Sequence, residues 1–159
     1  MMRWEYFMIL RSMRPFISAM TAAVLAQLVK PFFYYIHSKE WHWKLVGASG
    51  GFPSSHSALV TALAISVGIT EQFRSSIFAV TLGLAVIVIY DAANVRYYSG
   101  QNAKVTQQLI RDLKERYPDL FTDPVYETKL KQVLGHKWRE VIGGIILGII
   151  TALAVTNLL

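Results

Sequence analysis

The stretch SIFAVTLGLAVIVIYDAANV, residues 76–95, meets its first charge only at Asp91. An α-helix that crosses a bilayer takes ~20 consecutive, mainly apolar residues, and this stretch supplies them. Working outward, HSALVTALAISVGITEQF at 56–73 is a second apolar run, separated from the first by a short polar turn around Gln72 to Ser75. Two runs joined so tightly predict a helical hairpin. Upstream lies FISAMTAAVLAQLVKPFFYYI at 16–36, with Lys30 and Pro31 near its end; downstream lies VIGGIILGIITALAVTNL at 141–158. The expected fold is all-α: an integral membrane helical bundle of about four transmembrane helices, with interfacial amphipathic helices. The chain reads as one membrane domain over 1–159, with no repeat, linker or low-complexity tract.

Composition agrees. Charged residues are 16% of the chain and mean hydropathy is +0.36, against ~25% charged in an average soluble domain. The absence of cysteine excludes a disulfide framework and a thiolate metal site. A net charge of +6 would suggest nucleic acid in a soluble protein. Beside four apolar runs it suggests anionic headgroups instead, so the bilayer is the expected partner and nucleic acid is not. MMRWEYFMILRSMR at the start has too short an apolar run for a signal peptide. It reads as an interfacial segment over 1–14.

The 96–140 stretch is polar and reads as a helical loop. Val105, Leu109 and Leu113 share one face of its first helix, which Pro118 stops. A second short helix is expected over 124–134, with Asp123 as cap and Pro124 in first position. Both are expected on the membrane surface or against the mouth of the bundle. With four spans, the 37–55 and 96–140 loops share one side and carry eleven Lys and Arg, against four on the other side. The positive-inside rule then makes both loops cytoplasmic, in a bacterial-type plasma membrane.

Alternating threading brings four polar clusters to one membrane face: Lys30, the 50–57 loop, Asp91 with Arg96, and His136 with Glu140. Ionisable residues at the edge of a span are a functional-site hypothesis. The loop GGFPSSHS at 50–57 feeds a helix start. Its amides there, with Gly50, Gly51, Ser54 and Ser55, suit an anion. Lys30 and Arg96 add positive charge, and Asp91 completes the substrate-binding set. His136 and Glu140, four apart, share a helix face. The carboxylate can fix the imidazole's tautomer and raise its nucleophilicity. A second imidazole, His56, can serve the leaving group. The set suits phosphoryl transfer through a phosphohistidine, with no metal or other cofactor.

PSSHS at 53–57 resembles the PSGH motif of type 2 phosphatidic acid phosphatases (PAP2), and GHKWRE at 135–140 resembles the end of that family's third motif. AQLVK (26–30), GGFPSSHS (50–57), YDAANVR (90–96), GQNA (100–103) and LGHKWREVIGG (134–144) together resemble the divergent PAP2 family of small membrane proteins. The resemblance implies a general acid at His56, a nucleophile at His136 and an orienting acid at Glu140. It also marks departures. Lys30-Pro31 stands at the broader family's Arg-Pro, Ala23 at its upstream Lys, and Leu130 at the third motif's Arg. Arg96, Lys129 or Lys131 are the replacements in reach. The expected function is a lipid phosphate phosphatase acting on a phosphomonoester or diphosphate lipid.

Plainer readings stand beside these. Ser54 can be only a helix cap, Gly50-Gly51 only a turn, and Lys30 can snorkel to the headgroups. Asp91 and Arg96, five apart, are not ideal helical neighbours and can be a structural pair. His37, Trp41, His42 and Trp43 suit an interfacial belt. Gly144 and Gly148 suit helix packing or a homodimer contact. The alternative function is a non-catalytic lipid-phosphate binder, scaffold or translocase component.

Overall fold

The computed structural model describes residues 11–47, 50–127 and 135–158. Residues 1–10 of the expected interfacial segment, and 128–134 of the second short helix with Leu130, Lys129 and Lys131, lie outside the described residues. Within them the chain is helical and has no strand. Helix α1 is Arg14–Ser38, with proline in its first turn and Lys39 in the left-handed conformation at its end. A 3-10 turn, Trp43–Gly47, follows. Helix α2 is Ser55–Glu71 and α3 is Ser76–Tyr90. The Ser75 hydroxyl caps α3 by accepting from Phe78 N at 3.2 Å, so the hairpin turn is as short as the sequence indicates.

After Tyr90 the chain does not break. It passes through a π-helical turn, Asp91–Val95, into α4, Arg96–Arg116. Short 3-10 turns follow at Pro118–Leu120 and Pro124–Glu127. Asp123 caps the second, its carboxylate accepting from Val125 N at 2.8 Å. Helix α5 is Trp138–Leu158.

Among the described residues, three helical segments are long and apolar enough to cross a membrane: Arg14–Ser38, Ser76–Arg116 and Trp138–Leu158. Helix α2 has 17 residues, ~25 Å at 1.5 Å per residue, against a hydrocarbon core of ~30 Å. By length and composition the count is therefore three, and α2 is the short fourth member of the bundle. Helix α3 shows what the medium is. Its only buried residue is Ala85, while Val80, Val86 and Ile87 are more than half exposed. A soluble protein does not leave such a surface open.

The bundle is held by small residues. Ala22 and Ala26 of α1, Ala58 and Ala62 of α2, and Ala152 of α5 form one fully buried cluster. Ser18 and Ser66 hydrogen-bond between α1 and α2 at 3.3 Å. A Cβ on Gly144 would lie on the Ser54 carbonyl oxygen and 2.9 Å from Ser57 Cβ; one on Gly148 would lie 2.6 Å from Ala58 O. The two glycines thus pack α5 against α2 inside one chain, the close approach that small residues permit in membranes. At the end of α1, Tyr35, Trp41 and Trp43 stack with centroid separations of 4.5 and 5.2 Å. Such aromatic clusters gather at a membrane interface, and the polar residues described next lie at this end of the bundle.

Candidate active site

The loop before α2 is shaped by two glycines, Gly50 at φ 104° and Gly51 at φ 83°, conformations that L side chains rarely adopt. The loop is pinned by Ser54 N donating to Glu140 O at 2.9 Å. The Ser54 hydroxyl is fully buried and accepts from Ser57 N and Ser57 Oγ at 3.3 and 3.0 Å. It acts as the cap of α2 and so fixes where the next two amides point. Ser55 Oγ accepts from Gln27 Nε2 at 3.3 Å, tying the loop to α1. The amides of Ser55 and His56 lie in the first turn, where a helix has no internal acceptors for them.

His136 is placed by backbone. Its N–H donates to Ala92 O, in the π turn, at 3.0 Å. Gly135 beside it lets the chain lie against the backbone of Arg96 and Tyr97, where a Cβ would fall 2.6 Å from Arg96 C. The His136 Nδ1 meets Glu140 Oε2 at 3.0 Å in a buried pair. The same carboxylate oxygen accepts from Lys137 N at 3.3 Å. With Nδ1–H donating to the carboxylate, the lone pair of His136 is on Nε2.

His56 and His136 come together across 80 residues of sequence, with ring centroids 6.2 Å apart and planes at 64°. The two rings therefore border the same place in the bundle, in an edge-to-face arrangement. Lys30, Arg96 and Asp91 are close enough to act on His56 electrostatically, as Lys30 is on Glu140. Lys30 is 3% exposed. It is buried beneath Gly51, whose Cβ position is 3.9 Å from Lys30 Cδ. It therefore does not snorkel, and its side chain stays with the cluster.

Asp91 and Arg96 correct the helical spacing argument. Five residues apart they diverge on an α-helix, but a π turn closes i to i+5, and Arg96 Nε reaches Asp91 Oδ2 at 2.7 Å. The pair is half exposed and is made through Nε, so the outer edge of the guanidinium is not used by it.

Among the described residues, cavities lie around the site. One of about 350 Å³ contains Lys30, Gly51, Glu140 and Arg139, walled by Phe33 and Phe52. A second of about 280 Å³ touches His136 and Tyr97, and a third of about 400 Å³ touches His56. The sequence reading missed Arg139, although it lies inside a quoted motif. Its charge acts on Glu140, and it shares a cavity with Lys30. Spacing could not find it, because adjacent residues at a helix start point in different directions. Gln27, beside His56, was missed for a similar reason: nothing in its apolar surroundings marks it.

These features define a helical membrane protein with a buried His–Glu pair facing a second histidine. The chain belongs to the Divergent PAP2 family, whose profile matches residues 11–151. It is 38% identical over 144 residues, 87% of this chain and 91% of the relative, to the uncharacterized membrane protein YuiD of Bacillus subtilis (strain 168). No solved structure matches it significantly.

Proposed function

We propose that this protein is a membrane-embedded lipid phosphate phosphatase that works through a phosphohistidine. The observation that carries the reading is the His136–Glu140 contact with the His56 ring 6.2 Å from that of His136. His136 Nε2 attacks phosphorus while Glu140 holds Nδ1. His56 protonates the leaving alcohol and then activates water. Lys30, Arg139, the outer edge of Arg96 and the amides at the start of α2 grip the phosphoryl oxygens. Gly50 and Gly51 shape that loop, and Ser54 and Ser55 secure it. Arg139 compensates for cations that the broader family carries and this chain lacks.

The same proposal makes α2 a fourth, short span, which local bilayer thinning accommodates. It places the 37–55 and 96–140 loops on the cytoplasmic side of a bacterial-type plasma membrane. Because the Gly144–Gly148 edge is occupied within the chain, a homodimer would use another face.

The test is release of inorganic phosphate from phosphatidic acid, phosphatidylglycerol phosphate and polyprenyl phosphates by purified protein with metals chelated. At least one should be hydrolysed, with labelled phosphate trapped on His136, and His136→Ala should abolish both signals. Undiminished turnover in that variant sinks the mechanism. One observation favours a second reading: His136 is 3% exposed, and a nucleophile must be reached. Lipid-phosphate binding without turnover in the same assay would make the protein a non-catalytic binder, scaffold or translocase component.

A further inference from the structure

We propose that the groove between α1 and α2 beside His56 holds the hydrocarbon chain of the leaving alcohol, and that the substrate enters through it from the lipid phase. This rests on the phosphatase reading above. The groove, about 400 Å³, is walled by Ala23, Val24, Leu28, Val46 and Leu59 around the His56 ring. Val24 and Leu28 are 52% and 57% exposed on the outer face of α1, so the groove opens sideways to lipid. The cations lie elsewhere, Lys30 and Arg139 sharing a separate cavity.

The reaction assigns the occupant. In-line displacement at phosphorus puts the attacking and leaving atoms on opposite faces. His136 Nε2 forms the N–P bond as the P–O bond to the alcohol breaks, and that electron pair takes a proton from His56. In the second half water attacks phosphorus and gives its proton to His56. The N–P bond breaks, its pair returns to His136, and inorganic phosphate leaves. The alcohol therefore departs on the side of His56, and the apolar wall running from that ring is where its chain lies. Gln27 and Ser55 form the polar head of the groove, joined at 3.3 Å. Gln27 Oε1 is buried with no hydrogen-bond partner among the described residues.

The experiment narrows the groove and compares two substrates. Val24→Trp and Ala23→Trp are assayed on dioleoyl phosphatidic acid in micelles and on p-nitrophenyl phosphate, which has no chain. The expected result is a loss of at least ~10-fold in kcat/KM on the lipid, with less than ~2-fold change on the soluble ester. Val24 is exposed, so its variant keeps the test valid where Ala23→Trp fails to fold. Equal losses on both substrates, or no loss on the lipid, overturn the groove. Wild-type protein that releases phosphate from none of phosphatidic acid, phosphatidylglycerol phosphate, polyprenyl phosphate and p-nitrophenyl phosphate defeats the phosphatase reading instead; where another of these lipids is the one hydrolysed, it replaces phosphatidic acid in the comparison. The groove is then read from a phosphatidic acid with a diazirine in its acyl chain. Crosslinks should fall on residues 23–28 and Leu59, and be lost in Val24→Trp; crosslinks confined to other helices overturn it.

Discussion

At the scale of single residues, the site depends on one hydrogen bond and two loop positions whose backbone suits glycine. Glu140→Gln keeps the size of the side chain but removes the charge that holds the His136 ring. It should lower phosphate release by about 10²–10⁴-fold, the usual range for an acid–base partner, with KM changed far less. A KM effect alone would assign Glu140 to binding. Gly51→Ala places a Cβ at φ 83°, where an L residue costs roughly 1–2 kcal/mol. A lowered midpoint of thermal unfolding in detergent should report it, whereas Gly83→Ala, with open space around its Cβ position, should leave the midpoint unchanged or raise it. His56, His136 and Glu140 were legible from the sequence because motif order and alternating threading are enough to bring them to one face. Arg139 was not, because its direction is set by how α5 begins.

At the scale of elements, the π turn and the glycine edge decide the geometry. Asp91→Ala removes an exposed ion pair, a contact worth ~0–1 kcal/mol to stability. The turn also presents Ala92 O to His136 N. The expected result is therefore little change in unfolding midpoint but a several-fold loss of phosphate release, recovered in part by Asp91→Glu. Equal loss of both would make the pair merely structural. No spacing rule read from sequence anticipates this, because an inserted residue in a helix leaves no periodic trace over five positions. Gly144→Val forces α5 away from the Ser54 carbonyl and should cost about 1–3 kcal/mol by overpacking, together with loss of activity through displacement of the 50–54 loop. The sequence marked Gly144 and Gly148 as a packing pair; only the neighbours of Ser54 and Ala58 show that the partner is within the same chain.

At the scale of the whole molecule, the native chain lacks cysteine, so single cysteines can be introduced without background. Lys39→Cys and Asp119→Cys should react with an impermeant maleimide from the same side, and Arg74→Cys from the other. Lys39 and Asp119 on opposite sides would leave α2 as a re-entrant helix and the span count at three. The all-helical membrane fold was legible because apolar runs are long. The count was not, because α2 sits just below the length of a bilayer crossing. The path of α4 was not either. It was expected on the membrane surface or at the mouth of the bundle, yet it continues α3 through the π turn, and its Val105 and Leu109 are largely exposed.

The seam that joins α1, α2 and α5 is made of Ala22, Ala26, Ala58, Ala62 and Ala152, flanked by glycine and serine. Such side chains surrender almost no rotamer freedom when the helices assemble, and there is nothing in them to cut away. An alanine scan, the common way to ask what a core residue does, is blind along this seam. Only substitutions that add atoms can interrogate it, each inserted methyl group working as a wedge between backbones.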